Sequence, residues 1–291
     1  KHPYYGLEIR TTITYDRLTW VDENLNVVPQ LATSWESIED DQTVWEAKIR
    51  EGVKFHDGRD LTVEDVVASY KMHKDKKLGT SFAKKLVKDI EKAGPQKVRF
   101  HLLSPNSELP WWMAEYRQAI MPADELSKMG YSGNGTGPFK FVKIDPGRRV
   151  IYEPNENYWG DGPYLDQLEV ISQKGVDPVN AYLSGQIDAI LQADPGLIGQ
   201  FKTRDDTVVD VATSGDQIMM VLPKIDDSVF KDKRIRQALS LALDREQIVR
   251  IAYNGLGWVS NDSHMHAASP DFLAKSPIRD VGKAKKLLEE A

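Results

Sequence analysis

The sequence predicts a mixed α/β fold, and two strand patterns with helices between them support that class. Residues 45–50 alternate strictly, with Trp45, Ala47 and Ile49 on one face and charged side chains on the other, as in a half-buried strand. The segment VRFHLL at 98–103 repeats this alternation. Strands and helices follow one another along the chain without a strict strand–helix–strand rhythm, so a mixed α/β architecture is predicted.

In chain order, the first predicted elements are a hairpin over residues 13–35 around the turn VDENLN, the alternating strand, two helices and the strand at 98. The second helix is predicted over SFAKKLVKDIEKAG, because Phe82, Leu86, Val87 and Ile90 form one apolar stripe that Gly94 and Pro95 end. Beyond residue 135 we expect a strand pair, GTGPFKFVKI and RRVIYEPNENYW, short strands and helices in LEVIS, PVNAYLSG and IDAILQ, a strand in QIMMVLP, and helices in KRIRQALSLAL, REQIVRIAYNG and GKAKKLLEEA.

Composition excludes several classes of protein. The chain has 291 residues, enough for two domains, and a net charge of −6 without a basic block, which argues against nucleic acid and anionic membranes as partners. The absence of cysteine excludes disulfides, thiolate zinc sites and cysteine nucleophiles. No apolar run approaches the length of a membrane-spanning helix. Because the first residue is Lys1 and not Met, we expect the chain to begin inside a longer precursor or after processing.

The segment KFHDGRDLT at 54–62 contains residue types that acid–base catalysis uses. However, Asp57-Gly58 is typical of a tight turn. Thr62 and Asp65 have the spacing of a capping box for the helix that begins VEDVVASYKMHKD. We therefore interpret the segment as a turn followed by a helix cap, and His56 as a catalytic base is the weaker alternative.

Three short motifs suggest metal or phosphate sites, and each has a simpler interpretation. DENLN at 22–26 resembles the start of a calcium loop, but Val27 stands where that loop needs glycine, so a hairpin turn is predicted. GNGTG at 133–137 lacks the lysine of a phosphate loop and precedes a strand, which favours a chain crossover between domains. HMH at 264–266 supplies two imidazoles without a third ligand, so a loop role is preferred. No metal or cofactor is predicted.

Common catalytic motifs are missing, whereas one aromatic group is suggestive. Neither G-x-S-x-G nor H-E-x-x-H occurs, so we do not predict an enzyme. The segment PWWMAEYRQ groups Trp111, Trp112, Tyr116 and Arg117. These residues either pack in a core or form a stacking wall with a cation for a ligand carboxylate, as in a cleft between domains. The aromatic residues of NENYW at 155–159 are predicted to lie in the core.

Four long stretches together resemble the extracytoplasmic solute-binding proteins of peptide and nickel ABC importers, the dipeptide/oligopeptide-binding family. Their order and spacing follow the family pattern over nearly the whole chain. They are VPQLATSWESIEDDQTVWEAKIREGVKFHDGRDLTVEDVVASY at 28–70, GTGPFKFVKI through NENYWGDGPYLDQLEV at 135–170, AYLSGQIDA at 181–189, and VFKDKRIRQALSLALDREQIV at 229–249.

The resemblance implies a two-lobed, periplasmic-binding-protein-like α/β fold with an inserted α/β subdomain, here incomplete. The first lobe is expected from residues 1–12 and 136–212, the inserted subdomain from 13–135, and the start of a truncated second lobe from 213–291. Two departures from the family pattern support truncation. Only KHPYYGLEIR stands where the family has a strand ending in Leu-Asp-Pro, and SPIRDVGKAKKLLEEA resembles a helix that lies early in the second lobe.

The resemblance also implies where a ligand binds, in the cleft that closes between the lobes. Trp111, Trp112 and Arg117 belong to the expected subdomain, and Gln192 matches a position at the rim of the first lobe. The other implied contacts are three residues on the segment that crosses between lobes and one on a second-lobe loop, beside His264: Gly215, Asp216, Gln217 and Asp262. For each of these residues, a surface or packing role is the alternative.

The implied function is capture of a small peptide and its delivery to the transmembrane subunits of an ABC permease. The expected protein is a monomer, periplasmic or anchored outside the cytoplasm through a lipid. Receptors for nickel chelates, opines or sugar derivatives share the fold and are alternatives. An enzyme or a peptide-binding chaperone on a reused scaffold is an alternative of another class.

Overall fold

The computed structural model describes residues 4–75, 81–126, 133–172, 177–191, 193–211, 222–259 and 278–291. The chain divides into two compact units, residues 1–177 and residues 178–291, called here the N-terminal and C-terminal units. The lobe and subdomain boundaries expected at residues 12, 135 and 212 stay predictions. No helix in the described part of the chain is long and apolar enough to cross a membrane.

The N-terminal unit begins with helix α1 (Tyr4–Thr14), followed by a hairpin of strands β1 (Thr19–Val21) and β2 (Val27–Pro29). The Asp22 carboxylate accepts hydrogen bonds from the backbone amides of Asn24 and Asn26, and this closes the turn. The segment DENLN is therefore a hairpin turn, as predicted. The hairpin starts later than expected, because α1 continues to Thr14.

A four-stranded antiparallel sheet forms the centre of the N-terminal unit. In chain order its elements are β3 (Ala32–Ser37), β4 (Val44–Ile49), the helices α2 (Val63–Lys74) and α3 (Ser81–Leu86), β5 (Val87–Gly94) and β6 (Lys97–Leu102). The strands lie in the order β3, β4, β6, β5, and α2 contacts β5 and β6. The alternation predicted for β4 and β6 is confirmed, because its apolar residues are all buried: Trp45, Ala47, Ile49, Val98, Phe100 and Leu102.

The predicted helix SFAKKLVKDIEKAG is wrong beyond Leu86. Residues Val87–Gly94 form β5, which pairs with β6. The pairing register shifts between Val87 and Asp89, as a β-bulge does, so Val87 and Ile90 are both buried although they lie three residues apart. In a regular strand this spacing would place them on opposite faces. The bulge thus produces the apolar spacing of a helix within a strand.

The N-terminal unit continues with the short helix α4 (Leu109–Met113) and a second antiparallel sheet. Its strands are β7 (Phe139–Asp145), β8 (Arg149–Pro154) and β9 (Leu168–Ile171), in that spatial order. The turn predicted at Pro146-Gly147 joins β7 to β8, and Gly147 has a φ of +76°, a conformation that favours glycine. The strand predicted in LEVIS is β9.

The C-terminal unit is helical in its described part. Its helices are α5 (Pro178–Leu183), α6 (Ile198–Phe201), α7 (Lys233–Ala242), α8 (Arg245–Ala252) and α9 (Val281–Glu289). An aspartate side chain caps each of the last three helices at its N-terminus: Asp232, Asp244 and Asp280. Helix α7 packs against α9. The predicted strand QIMMVLP lies, up to Val221, outside the described residues.

Candidate functional site

The segment KFHDGRDLT is a turn and a helix cap, as predicted. The Thr62 hydroxyl accepts a hydrogen bond from the Asp65 amide at 3.3 Å, and the Asp65 carboxylate accepts one from the Thr62 amide at 2.9 Å, which completes a capping box on α2. The neighbouring Leu61 packs against the core, and Val66 is buried in it. The polar residues at 62 and 65 are thus used to begin a helix.

The imidazole of His56 is held by backbone. Its Nε2 lies 2.9 Å from the Gly137 carbonyl oxygen and its Nδ1 lies 3.0 Å from that of Gly133, and the Gly135 amide nitrogen is 3.3 Å from Nδ1. Burial lowers the pKa of His56, although the hydrogen bonds to the carbonyls oppose that shift. Since both ring nitrogens are engaged, His56 connects two segments of chain and does not present a free base.

Two glycines of GNGTG allow close packing against the end of α1. A Cβ atom at Gly135 would clash with the Thr14 carbonyl oxygen, and one at Gly137 would lie 2.6 Å from the Ile13 carbonyl oxygen. The Gly137 amide donates to the Thr14 carbonyl at 3.0 Å. The glycines are therefore needed where two backbones meet, which agrees with the sequence argument against a phosphate loop.

Asp16 is the centre of a buried polar cluster that the sequence analysis missed. Its carboxylate accepts three hydrogen bonds of 2.8 Å, from the Thr136 hydroxyl, the Trp159 indole and the Gln30 side-chain amide. Burial raises the pKa of Asp16, and the hydrogen bonds and the charge of Arg17 oppose that rise. The cluster joins GNGTG, NENYW and the segment after α1. Trp159, predicted to lie in the core, is only partly buried and packs against the hydrophobic core of the N-terminal unit.

Trp111 and Trp112 lie on α4 and are partly exposed, at 47% and 37%. We call these two side chains the tryptophan face. Arg117 follows in the same segment, where it donates to the Glu115 carboxylate at 2.6 Å and its guanidinium lies 5.1 Å from the centre of the Tyr116 ring. The structure thus places both tryptophans on α4 and Arg117 beside Glu115 and Tyr116, and the contact of all three residues with a ligand stays a prediction.

The remaining predicted site residues lie outside the described residues, as do His264 and the rest of HMH: Gln192, Gly215, Asp216, Gln217 and Asp262. Within the described ranges, no group of three or more acidic or histidine side chains has the arrangement of a metal site.

A small cavity lies in the N-terminal unit, lined by residues of β3, β4 and β6. Its volume is about 110 Å³, and its lining is mixed in charge: Ser34, Trp35, Glu36, Glu46, Lys48 and Lys97. Ligand pockets typically measure about 300–1,000 Å³. This cavity is therefore too small for a peptide, and the tryptophan face is the better candidate for ligand contact in the N-terminal unit.

Known proteins resemble the chain in sequence and in structure. The oligopeptide-binding protein AppA of Bacillus subtilis is 32% identical over 319 residues, covering 95% of this chain and 53% of AppA. The structure of NikZ from Campylobacter jejuni in complex with Ni(L-His) has a TM-score of 0.83 and 28% identity, covering 96% of this chain and 57% of NikZ.

The binding protein AgaA of Agrobacterium tumefaciens R10, solved with agropinic acid, has a TM-score of 0.77 and 25% identity. That match covers 98% of this chain and 59% of AgaA. The chain spans about half the length of the curated relatives it matches. The likeness to periplasmic binding proteins over nearly all of the chain confirms the predicted fold class.

The family model described as bacterial extracellular solute-binding proteins, family 5, middle region, matches residues 26–291. This range includes all four stretches that carried the resemblance and leaves out only the first 25 residues of the chain. The chain belongs to the family 5 bacterial extracellular solute-binding proteins.

Proposed function

We propose that this chain is part of the substrate-binding component of an ABC importer, which captures a small di- or oligopeptide in a cleft between lobes and delivers it to the transmembrane permease subunits. The observation that carries this proposal is the family match over residues 26–291. The peptide class is supported by the oligopeptide-binding AppA and by the dipeptide-binding protein of Escherichia coli, which is 26% identical.

The tryptophan face supplies a physical basis for ligand capture. Partly exposed indoles can bury the apolar part of a peptide with little loss of side-chain entropy, since tryptophan has only two side-chain torsions. Arg117 adds a cation that can bind a carboxylate. Because Arg117 already pairs with Glu115, a ligand carboxylate would have to compete with that ion pair.

The proposal is a receptor and not an enzyme. The two ring nitrogens of His56, the histidine that first suggested catalysis, face backbone carbonyls at 2.9–3.0 Å, which supports a structural role for this residue. The alternatives of another class remain a reused enzyme scaffold and a peptide-binding chaperone. Turnover of a bound ligand would favour an enzyme, and binding without any partner permease would favour a chaperone.

We place the protein outside the cytoplasm, either in the periplasm or held at the membrane by a lipid anchor, and expect a monomer. The family description as extracellular supports this location. Within the same receptor role, NikZ bound to Ni(L-His) favours a nickel chelate as the second candidate solute, and AgaA bound to agropinic acid favours an opine. A sugar derivative is a further alternative.

The first test is mass spectrometry of the small molecules released when the full-length protein, purified from its native host, is denatured. A peptide or a peptide mixture would support the proposal. A single opine-like compound or a nickel complex would keep the receptor role and replace the peptide as solute. Release of a chemically altered product from an added peptide would contradict the receptor role.

A variant tests the tryptophan face itself. We expect Trp112→Ala in the full-length protein to weaken binding of the released ligand by about tenfold or more, the effect of losing an aromatic anchor. The melting temperature should change little, because the side chain is partly exposed. Phe141→Ala, which removes an aromatic of similar exposure on β7, is the control. Unchanged affinity in Trp112→Ala would remove this residue from the site.

A further inference from the structure

A third partly exposed tryptophan, Trp20, lies on β1, and the adjoining structure constrains its position. Its exposure of 37% equals that of Trp112. The hairpin that carries it is small, since β1 and β2 have three residues each and Trp20 pairs with Val28. A two-stranded hairpin of this length has little stability of its own. Its position must therefore be fixed by contacts with other elements.

Two contacts fix β1 against α4. The Thr19 hydroxyl, which is buried, donates to the Pro110 carbonyl at 2.7 Å. The Arg17 guanidinium donates through Nη1 to the Ala114 carbonyl at 3.2 Å, just after α4 ends. The first bond holds β1 at the start of α4, and the second holds Arg17, two residues before β1, at the end of α4.

The same guanidinium also contacts Trp20. The Arg17 Cζ atom lies 4.4 Å from the centre of the Trp20 ring, the geometry of a cation–π interaction. The Arg17 guanidinium thus lies between the Trp20 indole and the backbone of Ala114, which directly follows α4. The Trp20 indole therefore lies near the backbone at the C-terminal end of α4, the helix that carries Trp111 and Trp112.

Burying the charged Arg17 side chain has a free-energy cost that packing alone does not explain. Arg17 is only 4% exposed, and taking a charged group out of water costs several kcal/mol before its interactions are counted. Contacts that offset this cost include hydrogen bonds to the Ala114 carbonyl and, at 3.5 Å, to the Thr12 hydroxyl, the stacking on the indole face, and the charge of the nearby Asp16 carboxylate. A lysine side chain carries the same charge, but its ammonium group is not planar and cannot stack on the indole ring while it donates to a carbonyl.

We propose that Trp20 contacts the ligand together with Trp111 and Trp112, and that Arg17 is the positioning residue that holds Trp20 there. This inference rests on the proposed peptide-binding function and names the part of the peptide involved. The occupant is an aromatic or large aliphatic side chain of the captured peptide, because an indole surface gains most from burying a flat or apolar group. Trp20 thereby becomes a determinant of selectivity among peptides.

The test is calorimetric titration of the full-length protein with two probes, trialanine and the same tripeptide with a central phenylalanine. For the wild type we expect tighter binding of the phenylalanine peptide. Trp20→Ala should weaken binding of that peptide by about tenfold and change the affinity for trialanine by less than about threefold. Trp20→Phe should retain most of the preference. Phe141→Ala, of matched exposure, should leave the preference unchanged.

The outcomes separate the two proposals. A wild type that binds neither peptide contradicts the proposed peptide function, and the inference with it. A wild type that prefers the phenylalanine peptide, with a Trp20→Ala variant that keeps the preference, overturns the inference alone and leaves the proposed function standing.

The role of Arg17 needs a readout beyond affinity, because removing a buried residue can disturb folding. In indole-¹⁵N-labelled protein, Arg17→Lys should shift the Trp20 indole signal and reduce the preference for phenylalanine, while the thermal melt stays cooperative. An Arg17→Lys variant that folds, keeps the wild-type Trp20 signal and keeps the peptide preference would overturn the positioning role. Arg17→Ala should have the larger effect on the same two readouts.

Discussion

The two units of the chain differ in what they bury. The N-terminal unit encloses large side chains between its four-stranded sheet and α2, including Tyr70, Phe100 and Ile90, all at most 1% exposed. In the described part of the C-terminal unit the buried apolar residues are smaller, apart from one phenylalanine: Ala181, Phe201, Ala238 and Ala284. Large apolar side chains there are exposed, such as Ile251 at 69%.

This difference shows that short-range interactions such as helix caps define the helices of both units, whereas a large packed core is seen, among the described residues, in only one. Helices α7, α8 and α9 each have an aspartate cap, so their ends obey the same local chemistry as α2. What they lack, in the described residues, is a large buried cluster of side chains. Most of the stability of a helix in a protein comes from packing. We therefore expect equivalent substitutions to cost more in the N-terminal unit.

The largest effect is expected from a matched pair of phenylalanines. Phe100 and Phe201 are both buried, and each ring packs edge-on against a tyrosine ring. The ring centres are 4.9 Å apart for Phe100 and Tyr70, and 5.5 Å apart for Phe201 and Tyr182. Phe100→Ala should lower the free energy of unfolding by about 3–5 kcal/mol, the usual range for a core phenylalanine. Phe201→Ala should cost clearly less, as measured by urea denaturation. Equal losses would break the contrast between the two units.

The next effect concerns pH. Burial lowers the pKa of His73 to about 4, and its Nε2–H donates to the Ala119 carbonyl at 2.9 Å. Below the ordinary histidine pKa near 6.5, His73 is protonated in the unfolded chain but stays neutral in the folded chain. The contribution of this residue to the free energy of unfolding is therefore fully present above that pH and falls as the pH drops toward 4. We expect a loss of about 2 kcal/mol between pH 7 and pH 5 from this residue.

Urea denaturation at the two pH values measures this loss. His73→Gln removes the titration while keeping a donor, so its stability should depend less on pH by about the same amount. A pH slope identical to that of the wild type would show that His73 is not responsible. The test sharpens the comparison, because burial within the N-terminal unit is what lowers this pKa.

Helix caps should give smaller effects. Asp65→Ala removes the carboxylate that accepts bonds from the amides of Thr62 and Ala123, and it should lower stability by about 0.5–2 kcal/mol without changing ligand affinity. Asp244→Ala removes the equivalent cap of α8. We expect it to increase hydrogen exchange within α8 and to leave the melting of the N-terminal unit unchanged. A loss of binding by Asp65→Ala at an unchanged melting temperature would contradict the capping account.

The smallest effect is expected on the surface of α8. Ile251→Ser should change the stability of the 291-residue chain by no more than about 0.5 kcal/mol, because the side chain is exposed. The partner variant is Ala238→Ser, at a buried position of α7, and it should lower stability by more. Thermal melts of the two variants measure the difference. A larger loss for Ile251→Ser would mean that α8 is covered in solution.

Local patterns predicted a large part of the fold, and long-range contacts explain what they missed. Alternation identified β4 and β6, and residue spacing identified the capping box of α2, because both signals lie within a few neighbouring residues. The strand β5 was missed because a bulge imitates helical spacing. The Asp16 cluster and the Arg17 contact could not be predicted, since they join residues 120 and 97 positions apart. No sequence period encodes such separations.

The contact of Gly135 and Gly137 with the end of α1 has a consequence for how the chain folds. It joins residues 13–16 to residues 135–137, so the segment between them forms a closed loop of more than a hundred residues. Closing a flexible loop of that length costs about 4 kcal/mol in chain entropy. The sheet pairings inside the loop are shorter in range, and their formation shortens the free chain that must be closed. We therefore expect the junction to form after the four-stranded sheet, with the polar bonds of Asp16 among the last to be made.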